Sequence, residues 1–175
     1  MSTPSSGSGL KTFTAVIAVI FGLVLLIGGI YLAVLGGSWY YIIAGLLFIA
    51  TAVLLQKLKS TALIVYALLV LGTVVWGLWE VGSDFFALAP RLDILGLFGL
   101  WLLIPAVTRG FDNAKSAKLV LTGSLAITIA VMIYAVFNDP QEIRGELSSK
   151  QPATAQSIPG VADGDWPAYG RTQSG

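Results

Sequence analysis

The sequence predicts an all-α membrane protein: a bundle of five transmembrane helices with a cytoplasmic N-terminus and a periplasmic C-terminus. Three observations carry this. The 175 residues are 56% hydrophobic and only 11% charged, whereas a soluble domain carries about 25% charged residues and needs them for its surface. Five apolar runs follow one another with short polar breaks. The lysines and arginines near those runs also fall mostly on one side of the predicted membrane.

Residues 1–11 are small and polar, rich in Ser and Gly, and carry Lys11. Too little apolar surface is present there for independent folding. The first helix is expected over 12–36. Its apolar run, Phe13 to Leu35, spans about 35 Å as a helix, enough to cross a core of about 30 Å. A cleaved signal peptide is the rival, but its apolar region would be only about 7–15 residues. Gly36-Gly37-Ser38 opens a tight turn into a second helix, 39–55, which stops at Gln56-Lys57-Leu58-Lys59-Ser60. The third helix is expected over 61–79. A polar, aromatic loop from Glu80 to Arg91 follows, then a fourth helix over 92–107 with Pro90 in its first turn, where a missing N–H does no harm. Arg109, Lys115 and Lys118 lie in the next loop, and the fifth helix is expected over 119–137.

With the N-terminus inside, Lys11, Lys57, Lys59, Arg109, Lys115 and Lys118 are cytoplasmic, and Arg91 alone lies in the short outer loops. That asymmetry fixes orientation by the positive-inside rule. Five crossings then put everything after Asn138 outside.

Composition also excludes chemistry. The chain has no Cys and no His, which removes thiol catalysis, disulfides, histidine proton transfer and most zinc or copper sites. A net charge of +1 points to no nucleic-acid partner. No apolar run carries an interior charge, which argues against a pump or a small transporter, because ionisable groups at membrane depth mark such pathways. Gly22, Gly29 and Gly36 recur every seven residues in the first helix, with Ala15 and Ala18 on the same stripe. Small residues let helices approach closely in lipid, so the stripe serves packing within the bundle or, alternatively, dimerisation.

Aromatic residues crowd the outer ends: Tyr31, Trp39, Tyr40, Tyr41, Trp76, Trp79, Phe85, Phe86 and Phe137. One reading is an interfacial belt. A belt would be similar on both faces, yet only Phe13 and Phe111 lie near the inner ends. The other reading is a pocket for a flat ring such as a quinone, with a few polar groups to orient it. Candidate quinone contacts are Trp39, Tyr40, Trp76, Trp79, Glu80, Phe85, Arg91 and Asp93. Arg91 is expected to pair with Asp84 or Asp93. No catalytic or metal-ligating residue is assigned.

The tail reads Phe137-Asn138-Asp139-Pro140-Gln141-Glu142-Ile143, then a linker (138–164), then Asp165-Trp166-Pro167-Ala168-Tyr169-Gly170-Arg171. Together with Gly36-Gly37-Ser38-Trp39-Tyr40-Tyr41, Trp76-Gly77-Leu78-Trp79-Glu80-Val81-Gly82 and Asp84 to Ile94, these motifs occur in a distinctive order. In that order the chain resembles the membrane-bound, pyrroloquinoline-quinone (PQQ)-dependent dehydrogenases of the glucose/quinate/shikimate type. The resemblance implies a five-helix anchor in the bacterial inner membrane that carries a periplasmic β-propeller. That propeller binds PQQ and Ca2+, and electrons from the sugar or polyol pass to ubiquinone. Residues 165–175 match the first residues of the propeller. The expectation is therefore a piece of such an enzyme, or a separate anchor subunit, that is inactive alone. The partners implied are the lipid bilayer, ubiquinone and the propeller domain.

Overall fold

The computed structural model describes residues 6–138, and these are all-helical, with no strand among them. The predicted linker and the propeller-opening motif of residues 165–175 lie outside the described residues. In chain order the helices are α1 (Ser6–Val34), α2 (Tyr40–Gln56), α3 (Thr61–Val81), α4 (Phe85–Leu102), the single turn α5 (Pro105–Thr108) and α6 (Ala114–Phe137). Four of them are long and apolar enough to cross a membrane: α3, α4, α6 and the Gly9–Val34 stretch of α1. At 17 residues α2 falls just short of that length.

α1 and α2 form a hairpin closed by a turn that needs glycine. The Gly36 and Gly37 amides donate to the Ala33 and Leu32 carbonyls, and Gly36 has φ +82°. This pattern satisfies the orphan carbonyls at a helix end with a left-handed residue. The small-residue stripe of α1 lies against α2. A Cβ on Gly45 would sit 2.7 Å from the Gly22 carbonyl oxygen, and one on Gly29 would sit 2.7 Å from the Ile42 nitrogen. Backbone therefore meets backbone there, which is the packing role expected of the stripe. Gly36 alone leaves the stripe, because it serves the turn.

α3 is the hub and touches α2, α4 and α6. Tyr66 on α3 is fully buried and donates its hydroxyl to the Leu95 carbonyl at 2.7 Å. Around it gather the rings of Phe48 and Phe98, with Phe21 of α1 against both of these. The buried hydroxyls of Thr14, Thr51, Thr73 and Thr128 each donate to the carbonyl four residues earlier. Such back-bonding lets a polar side chain enter an apolar core without an orphan donor.

Helices begin earlier than expected: α1 at Ser6 rather than 12, and α6 at Ala114 rather than 119, which places Lys115 and Lys118 in its opening turns instead of a loop. The largest departures are at the two ends of α4. α4 begins at Phe85 rather than at 92, because Asp84 caps it by accepting from the Ala87 amide at 3.0 Å. This is the usual geometry of an N-terminal cap. Pro90 thus lies in the second turn rather than the first and removes one helical hydrogen bond. At its far end α4 stops at Leu102, and Pro105 starts the separate turn α5.

The connectors opposite the α1–α2 turn tie to one another. Asp112 accepts from the Ser60 amide at 2.8 Å and lies 3.9 Å from Lys59. The Ser60 amide, then the Ser60 side chain and the Lys59 charge, hold the Asp112 carboxyl below its ordinary range. Lys11 donates to the Arg109 carbonyl, which joins the start of α1 to the α5–α6 connector.

Candidate functional site

Near the α1–α2 turn, the first four helices enclose a cavity of about 360 Å³. α2 contributes Tyr40 and Tyr41, α3 contributes Thr73 and Trp76, and α4 contributes Pro90 and Arg91. Phe21, Val24 and Leu25 of α1, Phe48 of α2, and Ile94 and Leu95 of α4 complete the wall. Each position follows from local structure. Tyr40 opens α2 directly after the glycine turn, and Thr73 and Trp76 are three residues apart, hence on one face of α3. Asp84 starts α4 early enough to bring Arg91 level with them.

Tyr40 and Trp76 stack with ring centroids 4.0 Å apart and planes 6° from parallel. Tyr41 meets both rings edge-on at 5.4 Å. The Tyr40 hydroxyl is hydrogen-bonded to the Thr73 hydroxyl, so the aromatic wall carries one polar point. Arg91 supplies the other. Its guanidinium lies 5.5 Å from the Trp76 ring centre, within range of a cation–π attraction.

One terminal nitrogen of Arg91 donates to the Ala87 carbonyl, in the turn that Pro90 disrupts. The other pairs with Glu80 at 3.2 Å. Its Nε is buried and has no partner among the described residues. An unmet buried donor on a guanidinium is costly and calls for an acceptor. Arg91 therefore pairs with Glu80, not with Asp84 or Asp93 as the sequence suggested; Asp84 is committed to capping α4.

The structure divides the sequence-derived candidates into three groups. Tyr40, Trp76 and Arg91 line the cavity, and Glu80 holds Arg91. Phe85 and Asp93 line a second, shallower groove between α4 and α6. Trp39 and Trp79 are 69% and 83% exposed and line neither, the arrangement expected of belt residues. Thr73, Tyr41, Phe48 and the α1 residues were absent from the candidate list. The three-residue spacing of Thr73 and Trp76 was the available signal for the first of them.

No group of three or more carboxylate, His or Cys side chains converges among the described residues. A calcium site needs six to eight oxygen ligands; the Ca2+ that the resemblance implies is assigned to the propeller, outside the described residues.

No family model matches the chain, and no solved structure matches it. Curated proteins do. It is 62% identical over 175 residues to quinoprotein glucose dehydrogenase A of Acinetobacter calcoaceticus, covering all of this chain and 22% of that protein. It is 52% identical over 167 residues to quinoprotein glucose dehydrogenase of Escherichia coli, covering 95% of this chain and 21% of that protein. It is also 37% identical over 103 residues to the glycerol dehydrogenase small subunit of Gluconobacter thailandicus, covering 57% of this chain and 81% of that protein. The chain spans about a fifth of the length of the two glucose dehydrogenases.

Proposed function

Because the chain belongs to the quinoprotein glucose dehydrogenase family and matches its N-terminal membrane region, we propose that it is the membrane anchor and quinone-docking domain of a PQQ-dependent dehydrogenase. It crosses the bacterial inner membrane five times, α2 serving as the shortest crossing. Its lysine-rich connectors face the cytoplasm, and its C-terminal tail leads into the periplasm. PQQ and Ca2+ belong to the periplasmic propeller, where a sugar or polyol is oxidised, and ubiquinone in the membrane takes the electrons.

The observation that carries the docking role is the cavity that combines the stacked Tyr40–Trp76 pair with the Arg91 guanidinium. A quinone ring is flat and apolar with carbonyl oxygens that only accept hydrogen bonds. The Arg91 guanidinium in the wall suits one carbonyl, whereas the Tyr40 and Thr73 hydroxyl protons are already committed, to Thr73 and to the Leu69 carbonyl. As electrons arrive, negative charge grows on the quinone oxygens, and a fixed guanidinium stabilises that charge better than the neutral ring. Glu80 holds the guanidinium in place from the side.

The test is a titration of a soluble ubiquinone analogue into the detergent-solubilised chain, read by tryptophan fluorescence. Saturable quenching is expected. The saturable part should shrink in Trp76→Phe and persist in Trp39→Phe and Trp79→Phe. Linear quenching, equal in all three variants, would leave a pure anchor with an aromatic belt.

A further inference from the structure

The cavity has a polar end and an aliphatic lip, and the lip lies where two helices part. α1 packs on α2 and α5, whereas α4 packs on α3, α5 and α6. Side chains bridge α1 and α4 farther along the bundle, through the Trp101 indole N–H to the Thr14 hydroxyl at 3.0 Å and through Phe21 and Phe98 at 6.2 Å. On the cavity side of those bridges, Val24 of α1 and Ile94 of α4 line the wall. Both are also exposed on the outside of the bundle, at 64% and 51%. Each side chain thus borders the cavity and the exterior at once.

We propose that this gap is a lateral doorway through which the isoprenoid chain of the docked quinone leaves between Val24 and Ile94 into the lipid. The inference rests on the quinone-docking reading above and adds the ligand's direction of access. A cavity of about 360 Å³ is at the small end of ligand sites. It holds a substituted ring but no long isoprenoid chain, so the chain must pass through the wall. Arg91 and Glu80 close the side away from the bridges with charge, a poor path for an apolar tail. Val24 and Ile94 offer an aliphatic one, and no polar group has to be dehydrated along it.

The test uses the whole chain in lipid nanodiscs and two ligands: decylubiquinone, and ubiquinone-0, which has the same ring without a tail. The double variant Val24→Phe/Ile94→Phe narrows the lip from its exposed side. Its Kd for decylubiquinone should rise tenfold or more relative to wild type, with ubiquinone-0 binding within twofold. Taking each ratio to wild type cancels partitioning of the tail into lipid. Val34→Phe, on the exposed face of α1 at 80%, controls for an added ring in lipid, and the Val24→Phe single variant serves if the double variant does not fold. Equal effects on both ligands, or none on either, would overturn the doorway. Wild type that binds neither quinone would overturn the docking reading itself, a separate result.

Discussion

Arg91→Leu is expected to weaken quinone binding at least tenfold while leaving the chain folded. The bond lost is a charge-assisted one from a guanidinium to a carbonyl, worth about 1.5–3 kcal/mol, or about tenfold to a hundredfold in Kd. The structural cost is smaller. Arg91 and Glu80 side chains are 27% and 36% exposed, and such partly solvated pairs contribute under about 1 kcal/mol. Loss of the attraction to Trp76 adds about 0.5–1 kcal/mol. Arg91→Lys keeps the charge but not the Nε–H, so it should fall between leucine and wild type. Calorimetric or fluorescence titration, with circular dichroism as the fold control, decides the matter. Wild-type affinity in a folded Arg91→Leu chain would remove Arg91 from the site.

Gly45→Ala should be among the most damaging single-methyl substitutions for the fold. The new Cβ would lie 2.7 Å from the Gly22 carbonyl oxygen and 2.7 Å from the Leu26 nitrogen. Both atoms are backbone, so no rotamer change relieves the contact and α1 must move away from α2. Overpacking of this kind costs about 1–3 kcal/mol. Because the two helices share the wall of the cavity, quinone affinity should fall as well. Gly72→Ala is the internal control: nothing lies within 4 Å of its Cβ position, and alanine there should stabilise the helix by about 0.5–1 kcal/mol. Thermal unfolding in detergent reads both. A Gly45→Ala chain melting at or above wild type would contradict the close approach of α1 and α2.

The helical fold was largely legible because the bilayer imposes a length and an apolarity that few other structures share. Glycine spacing in α1 likewise announced a packing face. The start of α4 was harder. Asp84 three residues before Ala87 is a capping arrangement, but Pro90 looked like a first-turn proline and drew the predicted boundary towards 92. Pro90 frees the Phe86 carbonyl four residues earlier, and the Arg91 side chain donates to the adjacent Ala87 carbonyl.

The candidate site was legible as a region and not as a surface. Aromatic bias pointed to the end of the bundle where the cavity lies, yet composition carries no azimuth. Arg91 and Asp93 are two residues apart, about 200° around a helix. One therefore enters the cavity among α1, α2 and α3, and the other lines the groove towards α6. Phe85 and Asp93, eight residues apart, differ by about 80° around the helix, and both border that groove. Trp79 follows Trp76 by less than one turn but lies close to the end of α3, exposed rather than against the cavity.

The most direct measurement is photolabelling of the chain in membranes with an azido-substituted ubiquinone, followed by peptide mapping. A seat in the cavity predicts saturable labels on residues 21–25, 40–41, 73–76 and 91–95, competed by unlabelled ubiquinone. Labels confined to Trp39, Trp79 and Phe86, or spread evenly over the lipid-facing residues without competition, would contradict a quinone seat.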